Sequence, residues 1–134
     1  MSTYKNDRNN NAETPSKLEG RVDDILKMGE LENLSSLIDD ISSYVQLKGK
    51  EVNTSQLRNI FSKVLLADEV IEMQLIRPKL MYVAARQTKS DAKKVVEFFE
   101  KTVSKIKDKN EVKNFKIFME AFVAYHKYYA APKN

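Results

Sequence analysis

The sequence has few of the residue types on which many folds and active sites depend. It contains no Cys, one His, three Gly and three Pro in 134 residues. Without Cys it can form no disulfide framework, thiolate zinc site, iron–sulfur cluster or cysteine nucleophile, and a single His nearly excludes a histidine-based metal site. So few Gly and Pro cannot supply the turns of a β-sandwich or a barrel. These shortages exclude an all-β fold and leave few routes to catalysis.

Long apolar segments are also missing. No stretch approaches the roughly 18 to 20 uncharged residues of a membrane span, and the segment from Met1 to Asn6 has no apolar run of the kind found in signal peptides. We therefore expect a soluble, cytoplasmic protein without a membrane partner. The chain is shorter than the ~150 residues of an average domain, so one domain is predicted.

The net charge is modest as a whole and uneven along the chain. It is +4 overall, but residues 1–53 hold 7 Lys and Arg against 10 Asp and Glu, a net −3, and residues 54–134 hold 16 against 9, a net +7. A basic C-terminal part beside an acidic N-terminal part indicates a surface for a polyanion, with nucleic acid as the first candidate. On charge alone, a solvated Lys-rich helical surface explains the pattern equally well.

Apolar residues recur at helical spacing along most of the chain. Residues 1–13 are rich in Asn and poor in apolar side chains, which predicts a disordered tail, and residues 14–131 are predicted to form the helical domain. The predicted helices begin, in chain order, near Thr14, Leu31, Thr54 or Ser55, Val70, Ser90 and Asn110, and Thr54 or Ser55, Ser90 and Asn110 are the predicted caps of their helices. The apolar series of the second helix is Leu31, Leu34, Ile38, Ile41 and Val45, and the predicted buried face of the third is Leu57, Ile60, Phe61, Val64 and Leu65. Pro78 either kinks the fourth helix or occupies the first turn after a break near Arg77. The prediction is an all-α, single-domain bundle of five or six helices.

The last helix carries the longest apolar stripe and is predicted to be the central core helix. Its stripe is Val112, Phe115, Phe118, Met119, Phe122, Val123, Tyr125, His126 and Tyr129. We expect Phe61 and Phe99 to be buried together with Phe115 and Phe122. His126 lies on the stripe between Phe122 and Tyr129, where a core histidine with one hydrogen bond is favoured over a surface position, an RNA contact or catalysis.

Acidic pairs and nucleotide-binding motifs give little support for an enzyme. The adjacent carboxylates Asp23-Asp24, Asp39-Asp40 and Asp68-Glu69 point about 100° apart on a helix, so no pair converges on one site. There is no Gly-rich phosphate loop, dinucleotide fingerprint or zinc-protease motif. We predict no catalytic residues, no cofactor and no metal. Most of the lysines between residues 89 and 116, which are interspersed with acids including Glu111, are interpreted as a solvated surface.

A smaller set of polar and cationic residues is a better candidate for binding nucleic acid. Lys79, Tyr82 and Arg86 are spaced 3 and 4 residues apart and so share one helix face that borders an apolar stripe. On the preceding helix, Arg58 lies on one flank of the apolar stripe and Gln56 lies on another with Lys63. Such a set can follow a line of phosphates. The alternative is a set of surface cations in weak ion pairs with Asp68, Glu69 or Glu72.

Three blocks of the sequence resemble one known family. They are Thr54-Ser55-Gln56-Leu57-Arg58, the segment Leu75 to Arg86, and the segment Met119 to Tyr129. In order and spacing they resemble the small subunit of type III-A CRISPR effector (Csm) complexes, across residues 54–129. Residues 1–53 show no matching block. The sequence departs from the family at Ala85, where we expect Gly, and at Ala130-Ala131-Pro132, where the family is Gly-rich.

The resemblance implies a non-catalytic helical subunit that forms a filament with copies of itself in antiviral defence. Its partners would be target RNA paired with guide RNA and the backbone and large subunits of the complex, while other subunits cleave. Carried over by position, Gln56, Arg58, Lys79 and Arg86 would contact target-strand phosphates. The alternative is a helical protein–protein adaptor with an incidental basic surface, and only RNA binding should weaken steeply with salt.

Overall fold

In the computed structural model, residues 16–130 are described, and every regular element in that range is a helix. The helices are α1 (Ser16–Glu19), α2 (Val22–Leu26), α3 (Leu34–Leu47), α4 (Thr54–Leu66), α5 (Val70–Gln74), α6 (Arg77–Arg86), α7 (Ser90–Ser104) and α8 (Lys109–Tyr129). Short 3₁₀ turns at Met28–Glu30 and Gly49–Glu51 flank α3. Five of these helices have ten or more residues, which confirms the predicted all-α bundle. The predicted tail, residues 1–13, lies outside the described residues.

Helix α8 is the centre of the bundle, as its stripe predicts. It packs against α2, α3, α4 and the 3₁₀ turn after α3, while α6 packs mainly on α7. The ring of Phe122 is fully buried, edge-on to Phe99 with 4.9 Å between centroids, and 6.4 Å from the ring of Tyr44. A Cβ added at Gly49 would lie 2.6 Å from the Phe122 Cζ, so only glycine allows the turn to approach this ring.

The one histidine occupies the predicted environment. His126 is 3% exposed, and its Nε2 lies 2.9 Å from the carbonyl oxygen of Val52. Because a carbonyl oxygen only accepts, Nε2 donates this hydrogen bond. His126 therefore ties α8 to the segment before α4.

Pro78 lies in the first turn of a separate helix. Helix α5 ends at Gln74, and α6 starts at Arg77 with Pro78 in its first turn. A proline is tolerated there because its missing N–H would have no partner within the helix. The break redirects the chain so that α6 lies on α7 and leaves its other edge at the surface beside α4.

Several predicted helix ends are wrong by a few residues. The predicted first helix is interrupted between Glu19 and Val22, since Gly20 is a poor helix former. Asn53, rather than Thr54 or Ser55, caps α4, and Asp108, rather than Asn110, caps α8. No side chain caps α7, which begins at Ser90 itself. Asn and Asp side chains accept hydrogen bonds from backbone N–H groups just as Ser and Thr side chains do, so neighbouring residues compete for each cap position.

The buried faces of α3 and α4 also differ in part from the predicted ones. In α3, Leu34 is 40% exposed, whereas Tyr44 is buried and donates its hydroxyl proton to Glu19 over 2.7 Å. In α4, Leu65 is 48% exposed and Phe61 is only partly buried. Tyr44 can lie in the core because its hydroxyl has a polar partner. The predicted buried face of α3 leaves Tyr44 out and is therefore rotated around the helix axis from the observed one.

Glu111, expected in a solvated surface, is instead 1% exposed. Its carboxylate accepts from Lys27 Nζ at 3.0 Å, from Lys107 Nζ at 3.3 Å and from the Lys107 backbone N–H at 2.8 Å. Burial acts to raise the pKa of Glu111, but these hydrogen bonds outweigh it and lower the pKa below its ordinary value. The carboxylate thus joins the start of α8 to the end of α2.

Candidate functional site

A groove of about 700 Å³ runs along the surface between α4 and α6. Its lining is Ser55, Gln56, Asn59, Lys63, Pro78, Lys79, Tyr82, Val83 and Arg86. Three of the four residues that the sequence assigns to RNA, namely Gln56, Lys79 and Arg86, therefore lie in one groove. Arg58 does not line it, although it is exposed on α4.

The first turn of α4 places Gln56 on the groove. Asn53 caps the helix by accepting from the backbone N–H of Gln56 at 3.0 Å. Asn59 and Lys63 follow Gln56 by 3 and 7 residues and so lie on the same face. Arg58 is two residues from Gln56, about 200° around the helix, which explains why it points elsewhere.

Helix α6 supplies the other wall. Leu80 and Ala84 are buried in the core, and Lys79, Tyr82 and Arg86 occupy the exposed edge. The Arg86 Cζ lies 5.6 Å from the centroid of the Tyr82 ring, in a cation–π arrangement that restrains the guanidinium. The Tyr82 side chain remains 65% exposed.

The cations of the groove have no carboxylate partners among residues 16–130. None of the ion pairs in that range includes Arg58, Lys63, Lys79 or Arg86. The three carboxylates considered as their partners are engaged elsewhere, and those contacts are Asp68 with Lys116, Glu69 with Lys109, and Glu72 with the backbone N–H groups of Asp68 and Glu69. The predicted alternative of ion pairs with these carboxylates is therefore wrong. The groove carries uncompensated positive charge, which suits a polyanion.

Gln87, just after α6, is a residue of this site that sequence reasoning missed. Its Nε2 donates to the Val83 carbonyl oxygen at 3.1 Å and to the Gln56 Oε1, and its Oε1 accepts from the Asn53 N–H at 3.4 Å. Gln87 and Gln56 are 31 residues apart, so no local spacing reveals their contact. Asn59, also missed, could have been found from its position one turn after Gln56.

The part of the chain that the structure describes holds neither a metal-binding cluster nor a membrane-spanning helix. Among residues 16–130, no group of three His, Cys, Asp or Glu side chains is arranged to hold a metal ion. No helix in the same range is long and apolar enough to cross a bilayer.

The fold and the groove together define a small helical protein with a cationic groove on one face. The model of the family described as Csm2 Type III-A matches residues 29–132, most of the chain, and the protein belongs to this family. It is thus a small subunit of a type III-A CRISPR effector complex, in which it associates with other subunits, and the family is generally a structural, non-catalytic component. The match confirms the resemblance and extends it into residues 29–53. Searches of curated proteins and of solved structures found no significant match.

Proposed function

We propose that this subunit contacts target RNA paired with guide RNA through the groove between α4 and α6. The observation that carries the proposal is the set of groove cations, Lys63, Lys79 and Arg86, that lack carboxylate partners among residues 16–130. Phosphate oxygens would form ion pairs with these cations at little cost in free energy, since no existing ion pair has to break.

The groove reads the RNA backbone rather than its bases. A complex that accepts any target must leave sequence recognition to base pairing, so the protein needs donors and cations along a phosphate line. Lys79 supplies a point charge and Arg86 a guanidinium fork already oriented by Tyr82. Gln56 adds a neutral amide at the end of the groove.

Arg58 has a separate place in the proposal. It is exposed on α4 and does not line the groove that holds Lys79 and Arg86. We assign its phosphate contact to RNA that passes outside the groove.

Copies of this subunit are proposed to repeat along the guide–target duplex as a filament, beside the backbone and large subunits of the complex in the cytoplasm. A few phosphate contacts per copy are weak alone and strong when repeated on one duplex. The subunit is proposed to lack catalytic activity. A nuclease or nucleotide hydrolase activity that follows the purified subunit through every column would contradict that part of the proposal.

The second candidate is the protein–protein adaptor, and one surface favours it. Leu66 at the end of α4, Ile71 in α5 and Leu75 just after α5 are 79%, 68% and 65% exposed. Such residues suit contacts with neighbouring subunits. A mainly apolar contact should be nearly insensitive to salt, whereas phosphate binding should weaken steeply with it.

The decisive experiment is the double variant Lys79→Ala with Arg86→Ala, assembled into the complex. Binding of two unrelated matched target RNAs is measured across a salt series. Each lost phosphate contact should lower the salt slope by about 0.7 to 0.9, and both targets should weaken alike. The matched control is Lys93→Ala with Lys101→Ala, which removes the same charge from exposed positions on α7.

The control separates local contact from net charge. If the groove variant binds both targets with unchanged affinity and slope, Lys79 and Arg86 are not phosphate contacts. If the groove variant fails to assemble while the control assembles, the two residues belong to an interface between subunits instead.

A further inference from the structure

The orientation of the Gln87 side chain is determined by the backbone. Its Oε1 accepts from the Asn53 N–H at 3.4 Å, and its Nε2 donates to the Val83 carbonyl oxygen at 3.1 Å. A backbone N–H can only donate and a carbonyl oxygen can only accept. The two contacts therefore decide which end of the Gln87 amide is nitrogen and which is oxygen.

Gln87 in turn determines the orientation of Gln56. The amide nitrogen of Gln87 has a second proton, and it donates this proton to the Gln56 Oε1. Gln56 is half-buried on the wall of the groove. With its oxygen turned toward Gln87, the Gln56 amide presents its NH₂ group to a ligand in the groove.

We propose that Gln87 is a positioning residue that makes Gln56 a hydrogen-bond donor only toward the groove. The inference rests on the proposed function and deepens it, because it specifies the chemistry that this end of the groove selects. Lys79 and Arg86 also only donate. The three side chains together fit a ligand group that only accepts, which describes the oxygens of a phosphodiester.

The contacts from the backbone through Gln87 to Gln56, here called the relay, also explain how a glutamine can lie in a groove that must bind RNA of any sequence. A free glutamine amide recognises adenine by donating and accepting at the same time. Gln56 is held with its oxygen toward Gln87 and its nitrogen toward the groove, so the two ends of its amide do not face one base edge together. The groove is thereby restricted to the backbone chemistry that every RNA sequence shares.

The test is a double-mutant cycle on Gln56 and Gln87 in the assembled complex, with RNA affinity as the readout. In Gln87→Glu the new side chain can only accept, so Gln56 turns its NH₂ toward residue 87 and its oxygen toward the groove. We expect Gln56→Ala to weaken binding about two- to tenfold, and Gln87→Glu to weaken it at least as much. In the Gln56→Ala background, Gln87→Glu should cost only the effect of its added charge.

Two further variants accompany the cycle as a charge control and as a substitute for Gln87→Glu. Gln46→Glu adds the same charge at an exposed position on α3 and measures the long-range electrostatic part. Gln87→Met keeps the length of the side chain without any hydrogen bond and replaces Gln87→Glu if that variant does not fold. It should weaken binding about twofold, since Gln56 then populates both amide orientations. An equal effect of either Gln87 variant with and without Gln56 would overturn the proposal.

A readout without RNA separates this inference from the proposed function. In the nuclear magnetic resonance spectrum of the free subunit, one Gln87 side-chain N–H resonance should shift and exchange faster with water in Gln56→Ala. If both Gln87 resonances stay unchanged, the relay does not exist, whatever the RNA data show. If the relay is present but Lys79→Ala with Arg86→Ala leaves RNA binding intact, the proposed function has failed while the positioning of Gln56 stands.

Discussion

Two clusters of cations in this protein have opposite surroundings. Lys27 and Lys107 converge on the buried carboxylate of Glu111, where α2 meets α8. Lys79 and Arg86 line the groove between α4 and α6 and have no carboxylate partner within residues 16–130. The two lysines at Glu111 stabilise the fold, and we call them committed. The charges of Lys79 and Arg86 remain available to a ligand.

The comparison shows why a count of lysines is a poor guide to RNA binding. Lys107 and Lys79 are both exposed and both lie in the basic part of the chain. They differ in their surroundings, because Lys107 pairs with the buried carboxylate of Glu111 and Lys79 has no such partner among residues 16–130. The pKa of Lys27 is raised, chiefly by its hydrogen bond with Glu111, which is the expected mark of a committed cation.

The largest expected effect comes from a substitution in the hydrophobic core, on which both cation clusters depend. Phe122→Ala should lower the free energy of unfolding by about 3–5 kcal/mol, because the ring is fully buried between Phe99, Phe118 and Tyr44. Domains of this size have only about 5–15 kcal/mol in total. Chemical denaturation followed by circular dichroism measures the change. The half-buried Phe61, replaced by Ala, is the control and should cost less, and equal losses would show that α8 is not the centre of the bundle.

The next effect concerns the committed cluster. Glu111→Gln should destabilise the fold by about 1–3 kcal/mol, because hydrogen bonds to a buried charged acceptor are lost while the lysines can return to water. RNA affinity in the assembled complex should not change. Urea denaturation is the measurement, with Glu120→Gln on the exposed side of α8 as the control.

The pH dependence of the same variant sharpens that result. The pKa of Glu111 is lower in the folded protein than its ordinary value of 4.5, so its stabilising effect is present above pH 4.5 and is lost as the pH falls through the folded value. The difference between wild type and Glu111→Gln should therefore shrink in acid. A difference that stays constant from neutral pH to about pH 3 would contradict the role assigned to the charge of Glu111.

The smallest expected change in stability belongs to the groove. Lys79→Ala with Arg86→Ala should alter the free energy of unfolding by no more than about 0.5 kcal/mol, because both heads are solvated, while RNA affinity falls. Lys27→Ala should do the reverse, with weaker folding and unchanged RNA affinity. Thermal unfolding and RNA binding are measured on both variants. If the two variants behave alike in both assays, the division into committed and free cations is wrong.

Much of the fold follows from periodicity along the chain. The stripe that includes Phe122 and His126 predicts α8 and its burial, because positions three and four apart share one face of a helix. The same rule puts Lys79, Tyr82 and Arg86 on one edge of α6. Periodicity does not decide between neighbouring faces of a helix, and the prediction for α3 is wrong at Leu34 for that reason.

The sequence by itself determined the helices, the apolar stripe of α8 and the cationic edge of α6, since each depends on residues within a few turns of one another. Only the tertiary structure decided which charges are neutralised and which way the Gln56 amide points. Glu111 meets Lys27 across 84 residues, and Gln56 meets Gln87 across 31. Hydrogen bonds act over about 3 Å, and whether residues so distant in sequence come that close depends on how the helices pack.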